Sequence, residues 1–99
     1  MKRTPKEITT EDYGTREFER VGGTHEKFKT PGKRNVPDRI CSLVYGVIFF
    51  IEYKRLNKPP RSGQLRDHAR RRARGFKVFV VDTKAQVDML VATKGERCA

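Results

Sequence analysis

Val47-Ile48-Phe49-Phe50-Ile51-Glu52-Tyr53-Lys54 is the stretch on which the fold turns. Its first five residues are all apolar, β-branched or aromatic. A continuous run of that length is the pattern of a strand covered on both faces, since a half-exposed strand would alternate. The run then breaks into a carboxylate, a phenol and an ammonium. Burying an unpaired charge is costly, so Glu52 needs an ionic partner, a metal or the solvent at the strand's end. Residues i and i+2 of a strand share a face, so Glu52 and Lys54 project together. Taken alone, the tripeptide describes an ion pair at a strand mouth as well as it describes a site.

Towards the N-terminus, Asp38–Tyr45 (DRICSLVY) and Val47–Lys54 flank Gly46 and read as a β-hairpin. Taking residues 44–46 as a three-residue connection pairs Leu43 with Val47, and Asp38 then falls opposite Glu52. Two carboxylates held together raise one another's pKa unless a cation lies between them. Hard oxygen ligands with room for water suit Mg²⁺ or Mn²⁺. Alone, Asp38 reads equally well as a turn-forming residue after Pro37.

Further out, Thr10–Val21 is expected as a helix capped by Thr10, with Phe18 and Val21 as its apolar face. Gly14 weakens that helix, and Gly22-Gly23 ends it. Thr24–Lys29 is expected as an exposed strand and Thr30–Pro37 as a loop. Beyond the hairpin, Asn57–Arg61 is a loop and Ser62 caps a helix to about Arg74. Its inward stripe is expected to be Leu65, Ala69 and Ala73, with the arginines outside and Gly75 as the stop. Phe76–Asp82 reads as a buried strand. Thr83 and Gln86 form a capping box for a last helix with Val87, Leu90 and Val91 inward. Strand, helix, strand predicts a right-handed crossover joining parallel strands. The class is α/β, a mixed sheet flanked by helices in the order αβββαβα. Residues 10–93 are expected as one domain, with flexible tails over 1–9 and 94–99.

The 99 residues carry 23 Lys and Arg against 12 Asp and Glu, a formal net charge of +11. That excess favours a polyanion, above all nucleic acid. Arg61–Arg74 holds six arginines and one aspartate, too one-sided for a merely solvated helix face. No apolar segment approaches the roughly 20 residues needed to span a bilayer, and basic Met1–Lys6 leads into no apolar stretch, so an intracellular protein is expected. Cys41 and Cys98 form no disulfide or metal framework, and Cys41 is expected in the core. Neither His25 nor His68 has zinc-ligand spacing. His68, among arginines, is expected to meet phosphate or solvent. A domain this small buries only about 60–65% of its unfolded surface, so pairing with a second copy would help.

Val36-Pro37-Asp38 followed by Ile51-Glu52-Tyr53-Lys54 resembles the PD-(D/E)XK nuclease superfamily. More narrowly, the chain is similar to stand-alone VRR-NUC (virus-type replication-repair nuclease) domains. The likeness runs from Gly22-Gly23 through Lys27-Phe28, Pro31-Gly32 and Arg39, then to Gln64, Gly75 and Val78–Asp82. It implies a restriction-endonuclease-like core and a metal-dependent endodeoxyribonuclease. Asp38, Glu52 and the Tyr53 carbonyl would hold one or two Mg²⁺ or Mn²⁺ ions. Lys54 would contact the scissile phosphate or the attacking water, Gln64 would support the site, and Glu7 or Glu11 would add an acid from the first helix. Many relatives have glycine before Val-Pro-Asp where this chain has Asn35, a residue that tolerates positive φ. The expected DNA contacts are Lys27, Lys33, Arg34, Arg39, Arg61, Arg66, Arg70, Arg71 and Arg74. The implied substrate is branched DNA, first a Holliday (four-way) junction cut by a homodimer, in a bacterial cytoplasm or phage-infected cell. A nicking or flap nuclease with the same site, or a non-catalytic basic nucleic-acid-binding protein, stands as the alternative.

Overall fold

Strand β3 (Val47–Tyr53) is the spine of the molecule, lying between β2 (Arg39–Leu43) and β4 (Val78–Val81). The computed structural model describes residues 8–96. Its sheet runs β1-β2-β3-β4, with β1 spanning Thr24–Lys27. β1 and β3 are antiparallel to β2, and β4 is parallel to β3, as the strand-helix-strand reading requires. The hairpin connection is one turn of 3-10 helix, Val44–Gly46, and Leu43 pairs with Val47. Tyr45 (φ 65°) and Gly46 (φ 77°) reverse the chain in left-handed conformation.

Helices α1 (Thr10–Arg20) and α3 (Lys84–Thr93) pack on each other and cover one sheet face. There Phe18, Val87 and Leu90 meet Cys41, Leu43, Phe49, Ile51 and Val81 in the core. Helix α2 (Ser62–Ala73) covers the other face, over Phe50 and Glu52. The period-2 alternation of β3 thus sends Phe49, Ile51 and Tyr53 to the core and Glu52 beneath α2. The order αβββαβα and the mixed sheet are as the sequence indicates.

Several local expectations change. Thr9, one residue before Thr10, caps α1, its Oγ1 accepting from the Asp12 N–H at 3.1 Å. Arg61 occupies the N-cap of α2, and Ser62 is its first helical residue. Val21, expected on the apolar face of α1, is exposed at its C-cap. The strand after α2 starts at Val78, which leaves Phe76 47% exposed. Asn35 does not use positive φ; its amide packs against Gly63 at the start of α2, where a Cβ would lie 2.5 Å from Nδ2.

The largest correction concerns α2 itself. Its buried residues are Gln64, Asp67 and His68, while Leu65 is half exposed and Ala69 and Ala73 face outward. Glu52 and Arg71 explain the reversal. A face that must satisfy a buried carboxylate has to offer polar atoms, and hydrogen bonding outweighs the modest gain from burying two alanines and a leucine.

Candidate active site

The pairing Arg39↔Ile51 sets Asp38, one residue earlier, opposite Glu52. Asp38 is fixed by the Tyr53 N–H, which donates to its Oδ2 at 2.8 Å. Glu52 is only 2% exposed. From above, Gln64 Nε2 donates to Glu52 Oε2 at 2.9 Å, while Gln64 Oε1 accepts from the Arg61 N–H at 2.9 Å. The two contacts settle the amide's orientation and tie the acid to the helix start. Lys54 Nζ lies 3.6 Å from the same Glu52 oxygen. Asp38, Glu52, Lys54 and Gln64 are therefore brought together from two strands and a helix.

Electrostatics at this point are tense. Burial pushes the Glu52 carboxyl up to about 7, with the Asp38 charge adding and Lys54 opposing. Asp38 is raised too, first by burial, against the lowering effect of the Tyr53 N–H. The two carboxyl groups are near enough to act on each other's ionisation. Glu52 Oε1 is buried without any hydrogen-bond partner. Two neighbouring hard carboxylates, one with an orphaned oxygen, fit Mg²⁺ or Mn²⁺. Among the described residues no cluster of three or more His, Cys, Asp or Glu side chains gathers for a metal. The side chains able to hold a cation here are thus the Asp38–Glu52 pair.

A third acid reaches the neighbourhood from α1. Glu11 lines the same hollow as Asp38, and its Oε2 binds Arg39 Nε at 2.7 Å. Glu7 lies outside the described residues. Arg39, expected on the DNA surface, is drawn inward instead: its Nη1 donates to the His25 carbonyl at 3.1 Å and its side chain is 12% exposed. Below it runs a buried chain that sequence reading missed. Tyr53 Oη lies 2.6 Å from His25 Nε2, and His25 Nδ1 lies 2.8 Å from Thr15 Oγ1. Burial, and then Arg39, pulls the His25 pKa down to about 4, so the ring is neutral near pH 7. Gly14 gives this chain its room, because a Cβ there would lie 2.2 Å from Tyr53 Oη.

His68 does not meet phosphate or solvent. It is fully buried, with Nε2 3.8 Å from the orphaned Glu52 Oε1 and neither ring nitrogen hydrogen-bonded. Burial lowers its pKa, and a neutral ring results. The signal was present in the spacing of Gln64, His68 and Arg71 at i, i+4 and i+7, a helical stripe of polar residues in place of the apolar one.

Around the acids the surface is basic. A hollow of about 480 Å³ runs from Glu11 and Asp38 to Lys27, Lys33 and Arg34. Lys27, Lys33, Arg34, Arg61, Arg66, Arg70 and Arg74 are exposed. Arg71 is half hidden, its guanidinium 5.0 Å from the rings of both Phe28 and Phe50 and its Nε bound to Asp67 Oδ2 at 2.8 Å.

No family model matches the chain. Individual proteins do. A curated protein of Acyrthosiphon pisum secondary endosymbiont phage 1, named "Putative nuclease p44", is 39% identical over 87 residues, covering 88% of this chain and 94% of its own. A solved structure described as a VRR_NUC domain superposes with a TM-score of 0.78 at 40% identity, over 86% of this chain and 97% of that one. At such identity over nearly the full length of both relatives, with the same fold, the chain belongs to the VRR-NUC family of nuclease domains.

Proposed function

We propose that this VRR-NUC domain is a divalent-metal-dependent DNA endonuclease selective for branched structures, and that it resolves four-way junctions as a homodimer. The observation that carries the reading is half-buried Asp38 beside buried Glu52, whose Oε1 is unpartnered, flanked by Lys54. A purely structural ion pair would leave no oxygen orphaned and would not bring a second carboxylate against the first.

Asp38 and Glu52 would hold Mg²⁺ or Mn²⁺, with the Tyr53 carbonyl as a further ligand. When bound, the ion supplies Lewis acidity, lowering the pKa of water and offsetting charge on the phosphate. The protein's own residues prepare that chemistry. Tyr53 N–H holds Asp38, and Gln64 holds Glu52, so both carboxylates are oriented before substrate arrives. Lys54 places an ammonium beside the acids, where it contacts a phosphate oxygen and stabilises developing negative charge. An ammonium offers three donors and no acceptor, so its role is electrostatic. Lys27, Lys33 and Arg34 line the hollow that ends at Asp38, a path for the backbone of the cleaved strand. No zinc finger or other base-reading motif occurs, so recognition rests on backbone and shape. A two-fold dimer would set two such sites against opposite strands of a junction.

Asp38→Ala is expected to abolish cutting of labelled junction DNA in Mg²⁺ or Mn²⁺ while salt-sensitive binding largely survives. Cleavage at the wild-type rate by pure variant would overturn the site. Side-by-side products from junction, flap and plain duplex test selectivity, and paired symmetric cuts in the junction are expected. A protein that sediments as a monomer at every concentration, bound and free, would defeat the paired-cut scheme.

A further inference from the structure

We propose that a second hollow, beside the C-terminal half of α2, takes one unpaired nucleotide of the substrate, with its base stacked on Phe76. The inference rests on the nuclease reading and adds a substrate feature to it.

The hollow measures about 350 Å³ and is lined by Lys33, Asp67, Arg70, Arg71, Arg74 and Phe76. That is the lower end of the range for small-ligand sites and suits a single nucleotide. Four cations face one acid, and the acid is already spoken for. Asp67 is 5% exposed, its Oδ2 bound to Arg71 Nε at 2.8 Å and its Oδ1 3.9 Å from Arg70 Nη2. The lining therefore presents net positive charge to whatever enters.

Phe76 is the unexpected member. Its backbone is pinned to the helix end, the N–H donating to the Arg71 carbonyl at 3.1 Å, and the preceding Gly75 turns at φ +91°. The ring packs against Phe50 at 5.9 Å and 82°, yet the residue stays 47% exposed. Arg71 places its guanidinium over Phe28 and Phe50, and among the described residues no cation lies over Phe76. A fixed aromatic ring without a cation partner, surrounded by arginines, is the arrangement that holds single-stranded nucleic acid: the ring stacks any base and the cations take its phosphates. Paired bases keep their faces against one another and cannot use it.

Continuity gives the site its meaning. Lys33 lines this hollow and also the larger one that ends at Asp38 and Glu11. A strand entering the acid site along Lys33 thus passes Phe76, and a nucleotide freed at a branch point can unstack into the hollow. Duplex without a branch offers none.

The test measures anisotropy of a labelled 12-residue oligothymidylate and of a labelled 12-base-pair duplex, without divalent cation so that no cutting occurs. Phe76→Leu keeps an apolar contact with Phe50 but removes the flat ring; Phe76→Ala removes both, and Phe76→Tyr keeps the ring. The Leu and Ala variants are expected to lose about 5- to 150-fold in affinity for the single strand and to change duplex affinity less than about twofold. The Tyr variant is expected to match wild type. Equal losses for both probes, or no loss for the single strand in the folded Leu variant, would overturn the proposal. So would a Leu variant that turns a dimer into a monomer with single-strand affinity intact, since a second copy would then be what covers Phe76. Wild-type cleavage of junction DNA in Mg²⁺, assayed separately, reports on the nuclease reading alone.

Discussion

At position 14 the backbone of α1 passes so close to β3 that a methyl group would lie 2.2 Å from the Tyr53 hydroxyl and 2.8 Å from His25 Nε2. Helix propensity alone favours alanine there by about 1 kcal/mol. The crowding works the other way, because Tyr53 Oη is held by His25, which is held in turn by Thr15. Overpacking a site that cannot give costs about 1–3 kcal/mol, so Gly14→Ala should be net destabilising. Removing the hydroxyl frees the space, and Gly14→Ala combined with Tyr53→Phe should be less destabilised than the two single effects added together. Urea titrations of the four proteins in a double-mutant cycle measure the coupling. Strict additivity would mean that the helix and the phenol do not constrain each other. The residues carrying Asp38, Glu52 and Lys54 were legible because charged groups stand out against an apolar strand. Gly14 and His25 were not, since their reason lies in a contact between elements that no local pattern encodes.

Helix α2 shows the same limit over twelve residues. Leu65, Ala69 and Ala73 are the only apolar side chains with a helical spacing, and an apolar stripe normally faces inward. The sheet face beneath carries Glu52, so the stripe that packs is Gln64, Asp67, His68 and Arg71. The extent of the helix follows from sequence to within a residue at each end; its rotation about its own axis depends on what it covers. The strands fared better. The apolar run of β3 specifies a central position, and one connection of three residues carries the register all the way to Asp38. A substitution separates the two rotations of α2. Leu65→Ala should change stability by no more than about 0.5 kcal/mol, as for an exposed position. Leu90→Ala, at a fully buried position, should cost about 2–5 kcal/mol. A Leu65→Ala loss as large as that of Leu90→Ala would return the apolar stripe to the core.

For the whole molecule, the site's tension should be visible as pH-dependent stability with two opposed contributions. His25 is depressed to about 4 from a usual 6.5, so its contribution is complete above about 6.5 and is lost as pH falls towards 4. Glu52 is raised to about 7 from 4.5, so its contribution is complete below about 4.5 and is lost as pH rises through 7. Asp38 is raised as well and adds to the Glu52 side. Each large shift is worth up to about 3 kcal/mol. Between about pH 4.5 and 6.5 the two nearly offset each other, and wild-type stability in EDTA should vary little on their account. Glu52→Gln removes one of the two acids and leaves only Asp38 to oppose His25. Its stability should therefore climb with pH across that window, more steeply than wild type, and should not share the wild-type decline towards pH 7. A cation held by Asp38 and Glu52 needs both ionised, so the rise in Tm produced by Mg²⁺ or Mn²⁺ should grow from pH 6 to pH 8 in wild type and vanish in Glu52→Gln. Parallel stability curves for the two proteins in EDTA, together with a metal effect independent of pH, would mean that Glu52 is ionised and satisfied in the free protein. The strained carboxylate pair on which the nuclease reading depends would then not exist.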